Sequence, residues 1–291
     1  MTYLVGYSPH KDDSCALELA CQFARSEAGT VHALTVVPRG WESVDGSATD
    51  GEFERWAAEE GEASAAEALA QLSRHSDVTS SATWVTGRSV PAAMLQQATE
   101  LGASLIVVGS GTDGVPGRIA LTSKTDRLLH SSHVPVAIPP RGYSPEPGSR
   151  ITRVTLAFRD DDATWRLLDE VADICRQIDA ELRLLTVAIK QRPMVTSGVR
   201  RNEKLVFANL LRQVAAAQAE AIDHLTAAGV KAATVTAEGA SWTDALATVA
   251  FDGGDVLVVG SSSTHRLAHV FLGSSATKIL RNSPVPVVVV P

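Results

Sequence analysis

The sequence predicts an α/β protein of two domains, each a five-stranded, mainly parallel sheet of order 3-2-1-4-5 with helices on both faces. Three observations predict it. Short β-branched apolar runs alternate with segments of helical composition along the whole chain. Helices placed between strands oblige the strands to run parallel, which calls for a three-layer arrangement. The order also occurs twice: Gly109 and Gly260, Val5 and Leu156, Thr35 and Thr186, and Pro135 and Pro286 are each 151 positions apart (260 minus 109). An offset that holds from the first strand to the last is a tandem duplication, and its length is that of a whole domain rather than a solenoid unit. In each half, finally, one apolar strand ends abruptly in glycine and small hydroxyl residues before a helix begins.

The first half opens with a strand at Tyr3–Tyr7, after which Asp12 or Asp13 is placed to cap a helix through about Glu27 with Ala16, Leu17, Ala20 and Phe23 on its apolar face. A strand at Val31–Val37 leads through a polar loop, Pro38–Asp50, into a long helix at about Glu52–His75 whose acidic run reads as a solvated face. Thr79–Val85 is a third strand, Gly87 a turn, Val90–Glu100 a helix and Ser104–Val108 a fourth strand. A helix at Leu121–His130 and a fifth strand at Val134–Ile138 complete the half.

Pro139–Ser149 is dense in proline and glycine and reads as a semi-rigid interdomain linker. The domains are therefore placed at 1–140 and 151–291, with 141–150 between them. The second half repeats the order. Strands are expected at Val154–Phe158, Glu181–Val187, Ala232–Ala237, Val256–Val259 and Val285–Val290. Helices are expected at about Ala163–Ile178, Asn202–Ala228 and Thr243–Phe251, with a last one ending at Arg281.

Composition narrows the class. Of 291 residues 45% are hydrophobic and 20% charged, which are globular values, and no run approaches the roughly 18 apolar residues of a membrane span. The start, Met1–Tyr7, lacks a basic region and a cleavable apolar core, so it reads as a strand rather than a signal, and a soluble cytoplasmic protein is expected. Net charge of −7 argues against bulk attraction to nucleic acid or to an anionic membrane, so any phosphate site must be local. Cys15, Cys21 and Cys175 have no paired metal spacing and fall on predicted helices, as small core or boundary residues.

The loops carry the chemistry. Val256–Val259 runs into Gly260, Ser261, Ser262 and Ser263, and Gly273-Ser274-Ser275 then opens a helix. Strand, small-residue loop and helix start leave amides unpaired and pointing one way, with the helix dipole adding positive potential, which makes an anion site of the kind that takes phosphate. In an isolated loop glycine and serine also serve merely to make a tight turn. The repeat favours the anion site, because Gly109, Thr112, Thr122 and Ser123 stand at the same spacing in the first half.

Two copies of this order, each with a glycine, a small residue three positions on, nine residues, then Gly-Ser or Thr-Ser, and each closed by a Val-Pro-Val strand, resemble the universal stress protein family in its tandem form. The resemblance covers nearly the whole chain and implies flavodoxin-like or adenine-nucleotide-hydrolase-like domains, a subset of which bind ATP through Gly-x2-Gly-x9-Gly-(Ser/Thr). Carried over residue by residue, it implies a nucleotide site at Gly260, Ser261, Ser263, Gly273, Ser274 and Ser275, with Val187 lining the cleft, and a weaker one at Gly109, Thr112, Thr122 and Ser123. The ligand is then ATP, or ADP or AMP, with or without Mg. The family's domains dimerise through the fifth strand, which implies an internal pseudo-dimer and allows a homodimer.

The chain departs from the family pattern at Thr112 and Thr122 in the first half, at Ser263 in the second, and at the aspartate position of each half. Ser263 replaces a glycine but adds a hydroxyl donor. Thr122 obstructs close backbone approach and, were φ positive there, costs on the order of 1–2 kcal/mol. Ser8 and Arg159 stand where nucleotide-binding members carry an aspartate; Asp160 and Asp161 are neighbours, placed better to cap the next helix. Arg266 and Lys278 are available to offset phosphate charge or to be solvated, and Lys190, Arg192, Arg200 and Arg201 mark a basic loop or lid. His265 and His269 have the spacing of a zinc pair without a third ligand, and no serine elbow with a histidine and carboxylate is present. Trp84, Trp165 and Trp242 fall on regular elements as core or interface residues.

Two functions are consistent with these residues. One is a nucleotide-binding regulatory protein of the stress response, using mainly the second domain; the other is a protein-interaction module with vestigial clefts. Dedicated enzymatic turnover is not indicated, since no general base is visible, and slow ATP hydrolysis through a bound water is the one catalytic route left open.

Overall fold

The computed structural model describes residues 1–8, 14–39, 48–190, 197–261 and 273–291, with backbone alone at 48–50 and 197–204. The expected caps Asp12 and Asp13 lie outside the described residues. The chain divides into two compact units, in their main parts Met1–Arg150 and Ile151–Val287.

The first unit runs β1 (Thr2–Tyr7), α1 (Ser14–Glu27), β2 (Thr30–Pro38), α2 (Ala48–Leu72), β3 (Thr79–Gly87), α3 (Val90–Leu101), β4 (Leu105–Val108), α4 (Ser123–Ser131) and β5 (Val136–Ile138). Its strands lie in the order β3-β2-β1-β4-β5, and the registers are parallel: Val5 pairs with Ala33 and with Val107, Ala33 with Ala82, and Val107 with Ala137. Leu4, Val5, Leu34, Ile106 and Ile138 of the sheet are fully buried, as are Leu19 of α1, Leu72 of α2 and Leu128 of α4. One glycine is required by packing. A Cβ on Gly61 in mid-α2 would lie 2.3 Å from the Trp84 indole, so the helix reaches β3 only because that position is bare.

The second unit runs β6 (Arg153–Ala157), α5 (Asp162–Ile178), β7 (Glu181–Ile189), α6 (Ser197–Ala227), β8 (Ala232–Gly239), α7 (Trp242–Ala247), β9 (Asp255–Gly260), α8 (Ser274–Asn282) and β10 (Val287–Val290). The order β8-β7-β6-β9-β10 repeats the first, with Leu156 paired in parallel to Leu184 and to Val258. Both fifth strands start two residues later than the sequence suggests, at Val136 and Val287. The same local device explains both. Ser132 accepts from the Val134 amide at 3.1 Å and Ser283 from the Val285 amide at 3.2 Å, so each valine is held in a turn before the strand. The carbonyls of Pro135 and Pro286 then receive the amides of Ile106 and Leu257, each at 2.9 Å. Helix α7 is shorter than expected, stopping at Ala247 because Thr248 closes it with an amide bond back to Ala245 at 3.1 Å.

Residues 139–150 are folded onto the first unit. Tyr143 donates its hydroxyl to Gln22 of α1 at 2.5 Å, Arg150 donates to the Ser26 carbonyl at 2.9 Å, and Arg141 donates to the Gly114 carbonyl at 2.6 Å. The three cysteines are buried, and burial pushes the thiols of Cys21 and Cys175 up to about 12. Among the described residues no helix is long and apolar enough to cross a membrane.

Candidate functional site

Strand register assembles the site of the second unit. Because Leu156 is level with Val258, Phe158 is level with Gly260; because Ala157 is level with Leu185, Arg159 is level with Val187. Gly260, Val187 and the segment after β6 therefore meet at the carboxyl edge, where connections leave the sheet in opposite directions and ligands bind in such folds. Gly260, Ser261 and Val187 are half-buried there. Phe158 is buried, with its amide on the Leu185 carbonyl at 2.8 Å and its carbonyl accepting from Thr186 at 2.9 Å, so the floor is fixed by backbone bonds.

Gly273 is the N-cap of α8, at φ −58° and ψ 156°, and makes no side-chain cap bond. Its carbonyl accepts from the Thr277 amide at 3.0 Å and the Thr277 hydroxyl at 3.2 Å. Ser274 is exposed and Ser275 half-buried in the first turn. Ser263, Arg266, His265 and His269 lie outside the described residues, as does Arg192, and Arg200 and Arg201 are described as helix backbone only. Of the other expected cations, Lys278 sits over the Trp242 ring at 5.6 Å. Lys190 pairs with Glu238 at 3.0 Å and covers Phe207 at 5.2 Å, so the sequence's candidate lid residue is engaged at its own strand end.

Of the two aspartates beside Arg159, Asp161 caps the next helix as the sequence indicates, and Asp160 does not. Asp161 is the N-cap of α5 and accepts from the Thr164 amide and hydroxyl, both at 2.9 Å, and from Arg159 at 2.5 Å. Burial pushes its carboxyl up, but the Thr164 and Arg159 hydrogen bonds outweigh this and hold it below the usual range. Asp160 accepts from the Trp165 indole at 2.9 Å, and that ring packs edge-on against Phe158 and His224.

The matched loop of the first unit is closed by its own chain. Ser110 accepts from the Ala120 amide at 2.7 Å, and the Gly111 amide donates to the Ala120 carbonyl at 2.7 Å. A Cβ on Gly111 would lie 3.2 Å from Thr122 Cγ2 and 3.3 Å from the Ala120 carbonyl. Gly109 is half-buried, Thr112 is exposed, and Ser123, exposed, starts α4. Thr122 is the N-cap, at φ −83° and ψ 161°, and accepts from the Thr125 amide at 3.1 Å. The strain foreseen for a positive φ does not arise, and the helix expected from Leu121 begins at Ser123 because Thr122 caps it. The closure of Ser110 and Gly111 onto Ala120 has no sequence signal, since the Ala120 side of it is main chain that any residue supplies; the Thr122 cap has one, a hydroxyl residue just before a helical run.

Among the described residues no group of three or more His, Cys, Asp or Glu side chains is arranged to hold a metal ion. The universal stress protein family model matches residues 1–140 and again 150–291. Universal stress proteins of Mycobacterium bovis and Mycobacterium tuberculosis are 34% identical to this chain over 295 aligned residues, covering 100% of both sequences in each case. The crystal structure of a universal stress protein from Archaeoglobus fulgidus superposes with a TM-score of 0.64 at 17% identity, over 99% of this chain and 97% of that one, a likeness of fold. Two matches of the family model, in series and together spanning nearly every residue, agree with the duplication read from the sequence: the chain belongs to the universal stress protein family.

Proposed function

We propose that this is a regulatory protein of the stress response, working in the cytoplasm, that binds an adenine nucleotide, ATP foremost, at the carboxyl edge of its second unit. The first unit is its structural partner. The observation that carries this reading is the contrast between two matched helix ends. Thr122 supplies α4 with a side-chain acceptor, whereas Gly273 supplies α8 with none. First-turn amides without an acceptor favour an anion, and phosphate oxygens meet that need while the hydroxyls of Ser274 and Ser275 stand beside them. Gly260 and Ser261 at the end of β9, with Ser263 further along the same loop in sequence, belong to the same site.

Phosphate recognition dominates this reading, because Arg159 occupies the place of the acidic residue expected near the adenosine and is held by Asp161. ATP, GTP and pyrophosphate should then compete within a narrow range; a preference for ATP over GTP of about a hundredfold, near 2.7 kcal/mol, would mean that base-reading residues exist elsewhere. Any Mg is carried by the phosphates rather than by a protein cage. The fifth strands, whose Ile138 and Val289 side chains are buried, are proposed to pair with each other as an internal pseudo-dimer; Val288→Lys with Val290→Lys should separate the units or aggregate the protein.

The class is tested by what leaves the purified protein on denaturation. Stoichiometric adenine nucleotide in the supernatant supports the proposal. Its absence, with no ATP binding on titration, favours the second reading, a protein-interaction module without nucleotide, to which the same Arg159 substitution points.

A further inference from the structure

The long helices that follow the second strand of each unit are opposite in charge and alike in leaving apolar side chains uncovered. Helix α2 buries a stripe of Ala57, Gly61, Ser64, Ala68 and Leu72, spaced three and four residues apart. Phe53 continues that stripe one turn further toward the N-terminus, where it is only half-buried, and packs on Trp56 at 5.3 Å. Trp56 is 47% exposed. Glu52, Glu54 and Glu59 around them are exposed, and the sequence of α2 sets seven carboxylates against the single cation Arg55.

Helix α6 is buried at Gln218, Ala221 and Leu225, and its burial fades toward the N-terminus through Val214, Leu211 and Phe207. Leu205 and Val206 are 60% and 67% exposed, and Leu210 is exposed beside them. In sequence the same end holds Arg200, Arg201, Lys204 and Arg212 against Glu203. Uncovered leucine, valine and tryptophan side chains gathered on two helix ends mark interaction surfaces rather than scattered apolar positions.

We infer that α2 of one molecule docks against α6 of a second copy of this chain. Charge selects the occupant. Pairing α2 with α2 would oppose carboxylates to carboxylates, and pairing α6 with α6 would oppose cations to cations, so only the unlike pair is electrostatically favourable. Trp56 supplies the large anchor and Leu205, Val206 and Leu210 the apolar ground it packs on, while the flanking charges set partner and register. Each molecule carries both surfaces. The contact therefore closes as a twofold dimer with two such pairings, or extends head to tail.

Sedimentation velocity of the intact protein over a range of concentrations tests this. The mass should rise with concentration at about 50 mM salt and fall back at about 500 mM, where the screening length is a few ångströms. Two variants then fix the surfaces: one reversed on α2, Glu54→Lys with Glu59→Lys, and one reversed on α6, Lys204→Glu with Arg212→Glu. Each alone should associate at least about tenfold more weakly, because like charges now face each other. Their equimolar mixture should recover association, since reversed α2 meets reversed α6. A wild-type protein that stays monomeric throughout overturns the proposal, which would leave these helices to another partner. Association unchanged in both variants, or a mixture that fails to recover it, overturns it as well.

Discussion

Thr122 and Gly273 cap matched helices with closely similar backbone, φ −83° and ψ 161° against φ −58° and ψ 156°, and leave the two helix ends in opposite chemical states. The threonine returns its own hydroxyl to the Thr125 amide, and the loop ahead of it is latched by Ser110 to Ala120. The glycine returns nothing. On the proposed reading, a duplicated domain retires an anion site without strain by giving the helix an internal acceptor in place of an external one.

The units also differ at the opposite edge of their sheets, and here the largest effect is expected. His32 and Arg183 occupy matched positions, 151 apart, beneath Leu4 and Thr155 of the neighbouring strands. In the second unit Asp255, with none of its side chain exposed, accepts from Arg153 twice at 2.6 Å and from the Asp252 amide at 2.7 Å. Arg183 lies 3.8 Å away with one guanidinium nitrogen lacking a hydrogen-bond partner. Removing one member of a buried charge cluster leaves the rest uncompensated, so Asp255→Ala should destabilise the second unit by about 3–5 kcal/mol. The matched Ser104→Ala in the first unit, which removes one bond to the Thr2 carbonyl at 3.2 Å, should cost about 1 kcal/mol or less. Urea unfolding followed by hydrogen exchange in each unit measures both; equal losses would erase the distinction.

The caps give a smaller effect of opposite sign. Thr122→Ala should lower stability by about 1 kcal/mol, while Gly273→Ser should leave it unchanged or raise it by a few tenths of a kcal/mol, read as shifts of the denaturation midpoint. A Thr122→Ala protein as stable as wild type would mean that the first helix does not depend on its cap.

The smallest effect is a pH dependence confined to the first unit. His32 lies between the Ser81 and Thr83 hydroxyls, each at 2.8 Å, and burial lowers its pKa below the ordinary 6.5. The unfolded chain then takes up the proton first as pH falls. The stability that His32 contributes is whole above about 6.5 and is lost as pH drops through its folded value. Replacing it by His32→Gln should flatten the decline in unfolding midpoint between about pH 7 and pH 5. Arg183 stays charged across that window, so the second unit has no matching term, and an unaltered slope in His32→Gln would remove His32 from the account.

Repeat and strand order were legible because they rest on local pattern: β-branched runs between helical segments, and a single offset. The capping role of Asp161 was legible for the same reason. The Ser110–Ala120 latch was not, because the serine hydroxyl closes on a main-chain amide that any residue at position 120 supplies. The backbone angle at Thr122 was not legible: a β-branched residue is strained at positive φ, whereas the extended backbone found here is one threonine adopts freely. The late starts of β5 and β10 follow from Ser132 and Ser283, whose side chains compete with the ladder for the backbone in a way that alternation of valines conceals.

Calorimetric titration of ATP onto the wild-type chain, Gly273→Val and Thr122→Val tests the central claim most directly. The account predicts that Gly273→Val weakens binding at least about tenfold, roughly 1.4 kcal/mol, by obstructing the approach of phosphate to the start of α8, and that Thr122→Val leaves the affinity as it was. Affinity unchanged in Gly273→Val and reduced in Thr122→Val would contradict it, and would place the nucleotide in the unit whose loop is closed.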